Sequence, residues 1–113
     1  MRELLRDEIR HGRLGWAWFA CDRVDARVRR EIGRGLCAIV GACLRTWQER
    51  TALHPSGLGD HGVLPPHAAM GVVEHAVGEL VVPGFAYVGI DARGAQAALE
   101  AFRGAAPRAV AVL

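Results

Sequence analysis

A chain of 113 residues with 51% apolar content is long enough for a single hydrophobic core and too apolar for wholesale disorder. All 14 basic residues are Arg and the net charge is only +2, short of the dense positive field of a dedicated nucleic-acid-binding domain. No uninterrupted apolar run reaches the ~18 residues of a membrane span, and the opening MRELLRDEIRHGR alternates charge where a signal peptide would have an apolar centre.

In chain order, residues 2–11 read as a short charged helix ending at Gly12, with Leu4, Leu5 and Ile9 as a narrow apolar stripe. Residues 14–21, LGWAWFAC, read as a strand. Leu14, Trp16, Trp18 and Ala20 would share one face, and Ala17, Phe19 and Cys21 the other. Both faces are apolar, so the strand is expected to be covered on both sides, with the two tryptophans in the core or forming a ligand platform.

Residues 22–51 hold the longest periodic stretch. Val24, Val28, Ile32, Leu36, Ile39, Val40, Cys43, Leu44 and Trp47 recur at helical spacing, and Asp22 or Asp25 can cap the first turn. Arg23, Arg27, Arg30, Arg34 and Arg45 fall on the opposite arc. Gly33 and Gly35 each cost about 1 kcal/mol in a helix interior, so a break is expected there. Gly35, Ala42 and Thr46 make a small-residue face suited to packing or to a dimer seam.

Residues 52–66, ALHPSGLGDHGVLPP, form a long loop of the kind that is often functional. A helix follows over 67–80. Residues 81–90 read as a second strand with Pro83–Gly84 at its start, 91–94 as a turn, 95–103 as a helix closed by Gly104, and 108–113 as a third strand. The expected architecture is a single α+β domain over 1–113. A three-stranded mixed sheet is covered by the long kinked amphipathic helix and two or three shorter ones.

The segment from Ile90 to Ala101, IDARGAQAALEA, is similar to the strand-to-helix opening of bacterial microcompartment shell domains. The likeness covers a dozen residues, and no function or site residue is taken from it.

Three kinds of chemistry can be weighed. His54, His61, His67 and His75, with Asp60 and Glu74, cluster around the long loop and offer donors for a divalent transition metal or for acid–base work. Their spacings match no compact ligand motif, and a solvated histidine-containing loop is the simpler explanation. The turn at Asp91 to Gly94 precedes a helix and could bind an anion, although Asp91 opposes this and neither GxGxxG nor a P-loop lysine is present. Arg23, Arg27, Arg30 and Arg34 could meet phosphates, but Asp22, Asp25 and Glu31 dilute their field. Ser56 lacks a GxSxG setting, and Cys21, Cys37 and Cys43 show no CxxC spacing and read as reduced, buried thiols.

The Ala-, Gly-, Arg- and Val-rich composition is that of a GC-rich bacterial coding sequence, and a cytoplasmic setting is expected. The leading functional expectation is a non-enzymatic interaction module or homo-oligomer subunit with a protein partner and no membrane. The alternatives are a small metal- or ligand-binding enzyme built on the histidine loop, and arginine-mediated nucleic-acid binding.

Overall fold

The structure, a computed structural model, describes residues 2–55 and 57–105. These form helices α1 (Arg2–Ala20), α2 (Ala26–Ala52), α3 (Pro66–Ala76), α4 (Val82–Tyr87) and α5 (Arg93–Ala105). A 3-10 turn (Gly59–His61) interrupts the loop before α3, and a π-helical turn (Val77–Val81) joins α3 to α4. There is no strand among the described residues, so the α+β fold with its three-stranded sheet is replaced by an all-helical one. The third expected strand, 108–113, lies outside the described residues.

Helix α2 organises the rest. Asp25 caps it, its carboxylate accepting from the Val28 N–H at 2.9 Å. Its 27 residues span about 40 Å without the expected break at Gly33–Gly35. The glycine cost is offset by a close crossing with α5. A Cβ on Gly33 would lie 3.3 Å from the Asp91 carbonyl oxygen, and one on Gly94 would lie 3.1 Å from the Cys37 nitrogen. Removing both Cβ atoms lets the helices approach closely enough for Leu36, Val40 and Leu44 to join a core with Ala95, Ala98 and Leu99. Fully buried leucines of this kind contribute about 1.5–3 kcal/mol each.

The other flank of α2 meets α3 and α4, where a strand was expected over 81–90. Apolar runs this short do not distinguish strand from buried helix by periodicity. Pro83 cannot donate to the residue four before it, and the wider π turn just upstream absorbs the disruption, with the Val82 N–H donating to the Val77 carbonyl. The helix then ends in a Schellman motif. Gly89 adopts φ +78°, the Ile90 N–H donates to the Phe85 carbonyl at 2.9 Å, and the Gly89 N–H donates to the Ala86 carbonyl at 3.1 Å. Val88 and Ile90 are thereby delivered into the core.

Helix α1 incorporates the expected first strand. Within residues 14–21 the tryptophans alternate, but over the longer stretch Leu5, Ile9, Gly12, Trp16 and Phe19 recur at steps of 4, 3, 4 and 3, which is a helical stripe. Trp16 and Phe19 are half-buried against Phe85, with ring centroids 5.1 and 5.9 Å away, whereas Trp18 is 56% exposed. The sheet core with both tryptophans buried is therefore corrected to one docked ring and one bare one. Arg29 braces the turn between α1 and α2, its guanidinium donating to the carbonyls of Val24, Cys21 and Val88. No residue of α1 is buried, and its first three turns stand clear of the body. The radius of gyration is 16.5 Å, against about 13 Å for a compact domain of this length.

Two glycines with opposite surroundings test the crossing. Gly71 lies in the interior of α3 with open space around its Cβ position, so Gly71→Ala is expected to stabilise by about 0.5–1 kcal/mol. Gly94→Ala is expected to destabilise, because the α2 backbone must give way. Denaturant melts of the two variants check the sign of each.

Candidate functional site

The histidines expected to surround a metal do not converge. His54 sits just past α2, and its Nδ1 donates to the Leu64 carbonyl at 2.9 Å, closing the loop onto itself. Asp60 and His61 are exposed on the 3-10 turn, and His67 and His75 are exposed on α3. Glu74 turns toward α5 and pairs with Arg103 at 3.2 Å. Among the described residues no three His, Cys, Asp or Glu side chains could hold one ion. Of the six candidates the structure brings together only His67 and Glu74, which line a shallow depression with Thr51, Met70 and Phe102.

The turn before α5 is internally satisfied. The Asp91 carboxylate accepts from the Arg93 N–H at 3.0 Å and from its guanidinium at 2.6 and 3.0 Å. These bonds, the guanidinium's first, hold Asp91 down to a pKa of about 2. Gly94 serves the crossing with α2 rather than approach to an anion. Ile90 follows the end of α4, so the strand-to-helix opening that the microcompartment likeness implied is absent.

On the arginine face of α2, Arg34 pairs with Glu31 at 2.8 Å, while Arg23, Arg27 and Arg30 are exposed. Ser56 lies outside the described residues. Cys21 is half-buried, and Cys37 and Cys43 are exposed rather than buried as expected.

The feature with the most to explain is an apolar groove of about 460 Å³ between α2 and the α3–α4 segment. Leu36, Val40 and Leu44 form its floor, Phe85 closes one end, and Val73 and Val77 line the far wall. Its rim is bare. Ile39 is 55% exposed, Trp47 48% and Val72 59%, with Cys43 between Ile39 and Trp47. Its walls are almost wholly apolar and offer water almost no hydrogen-bond partner.

The groove follows from the width of α2's apolar arc. At 100° per residue, the positions from Ile39 through Cys43, Leu36, Trp47 and Val40 to Leu44 cover about 140° of the helix. Its neighbours cover only one side of that arc. The same residues stand in the sequence as one long apolar list. The signal in them is that Ile39, Cys43 and Trp47 form a second stripe beside Leu36, Val40 and Leu44.

One described helical stretch, Pro66–Tyr87, has the length and mean hydropathy (1.2) to cross a membrane, although it carries Glu74, His75 and Glu79. No protein-family model, curated protein or solved structure matches the chain.

The Asp91–Arg93 pair has a direct test. Carboxyl titration by NMR is expected to place Asp91 near 2, and Arg93→Ala to return it toward 3.8. Since its folded value is depressed, any stability the pair lends is present above pH 4 and is lost as pH falls toward 2.

Proposed function

We propose that this chain is a helical protein-association module whose principal partner is another copy of itself. The observation that supports this reading is the uncovered apolar groove with its exposed rim of Ile39, Trp47 and Val72. Contiguous apolar surface of this kind marks interaction sites on folded proteins.

The area agrees. The chain exposes 8911 Å², whereas a compact monomer of 12.2 kDa exposes about 6,100 Å². Even if the eight residues after Ala105 were counted as fully extended chain, they would account for only about 1,200 Å². The remaining excess of about 1,600 Å² per copy matches what an obligate interface removes from each partner.

The two other functional readings lack comparable support. The histidine side chains stand apart, and the arginine face is interrupted by Glu31. The exposed thiols of Cys37 and Cys43 fit a reducing compartment, in keeping with a cytoplasmic setting.

Sedimentation over a wide concentration range tests the reading. Reversible self-association is expected. Ile39→Glu and Val72→Glu, both at exposed positions, are expected to weaken it by at least about thirtyfold, the effect of losing a central interface anchor of about 2 kcal/mol. A strict monomer at the highest concentration would overturn the proposal. A monomer that instead floats with lipid vesicles would assign the apolar surface to a membrane.

A further inference from the structure

We infer that the groove of one copy is filled by the first three turns of α1 from a second copy, in a reciprocal exchange. The inference rests on the association reading above and names the surface that completes it.

Helix α1 carries one continuous stripe, Leu5–Ile9–Gly12–Trp16–Phe19, of which only the last two side chains are docked. Leu5 is 61% exposed and Ile9 47%, and neither belongs to the buried core cluster. The bare half of the stripe fits within the groove. Leu5 to Gly12 spans seven residues, about 10 Å along a helix, and the groove runs from Leu36 to Trp47, about 16 Å. Gly12 on the stripe leaves room for a close helix approach.

The chain's own α1 is held away from its own groove. The Trp16 ring packs against Gly84, where a Cβ would fall 2.7 Å from the indole. Swinging α1 inward would lift Trp16 off Gly84 and strip the aromatic contacts with Phe85. A second copy faces no such conflict, and a two-fold exchange fills both grooves and both stripes in one closed step.

Charge favours the same occupant. Arg2, Arg6 and Arg10 are balanced by Glu3, Asp7 and Glu8 over the exposed turns of α1. This segment therefore brings no net charge of its own to a second copy, whereas a helix docking on an anionic membrane would carry a basic face.

The test uses the native Cys43, which lies on the groove rim. In the full chain, Cys21→Ala and Cys37→Ser leave it as the only thiol. Adding Leu5→Cys or Ile9→Cys is expected to give a disulfide-linked dimer under mild oxidation for at least one of the two, since the exchange brings the stripe within the 4.4–6.8 Å Cα separation a disulfide needs. Arg10→Cys, on the opposite side of α1, is expected to give none. Leu5→Glu with Ile9→Glu is expected to weaken self-association at least about thirtyfold and to leave the melting of the dilute monomer unchanged.

A disulfide within one chain would overturn the inference, because α1 would then fill its own groove. Cross-linking through Cys43 alone would also overturn it in favour of groove-to-groove contact, and so would a sedimenting dimer that none of the α1 cysteines links. In those last two cases self-association stands; absence of any dimer in sedimentation would remove the association reading itself.

Discussion

Helix α2 presents more apolar circumference than the other described residues cover, and the rest of the described structure is a partial answer to that constraint. On one side the crossing at Gly33 and Gly94 brings α5 close enough to bury Ala95, Ala98 and Leu99 against it. On the other, Val73, Val77 and Phe85 approach but leave Ile39, Cys43 and Trp47 in solvent. The core that results is small: among the described residues, Leu36, Leu44, Ile90 and Leu99 are the larger apolar side chains that are fully enclosed. A single protomer of this kind is marginal, and burying its bare stripe against a partner would raise its apparent stability with concentration.

The contact between Trp16 and Gly84 gives that picture a direction. It anchors the end of α1, and with Arg29 bracing the following turn it orients the helix away from the body. An amphipathic helix with half its stripe docked and half in water makes little sense for an isolated molecule, since a single leucine left exposed forfeits about 1.5–3 kcal/mol of burial. Both unsatisfied surfaces lie on the same chain, and the bare stripe is short enough to fit within the groove.

Much of the local structure was legible in the sequence. The acidic cap that Asp22 or Asp25 could supply, made by Asp25, the helical period of α2 and the largely irregular stretch between α2 and α3 follow from residue type and spacing, whereas Gly104, expected to close the last helix, lies inside α5. Among the described residues there was no strand to be found. LGWAWFAC alternates over eight residues, and only a window reaching back to Leu5 shows that Trp16 and Phe19 continue a helical stripe. In VVPGFAYVGI, Pro83 and Gly84 argued against a helix, but a π turn absorbed the first and an indole ring occupied the space left by the second. Gly89–Ile90 was the overlooked signal, a helix stop rather than a strand end. The glycines of α2 point to a break because their cost is local, while the compensating approach of α5 is a tertiary fact. The histidines were close in sequence and stayed apart in space, since the loop and the exposed surface of α3 carry them to different points on the surface.

The accessibility of Cys43 tests the central claim most directly, since its thiol sits on the rim of the groove and is exposed in a lone protomer. In a chain carrying Cys21→Ala and Cys37→Ser, its rate of reaction with a soluble thiol reagent can be followed across a dilution series. The expected result is fast reaction in dilute solution and a fall in rate as concentration rises, over the same range in which sedimentation detects association. A rate unchanged at every concentration, in a protein that does associate, would show that the apolar arc of α2 is not the surface that partners cover.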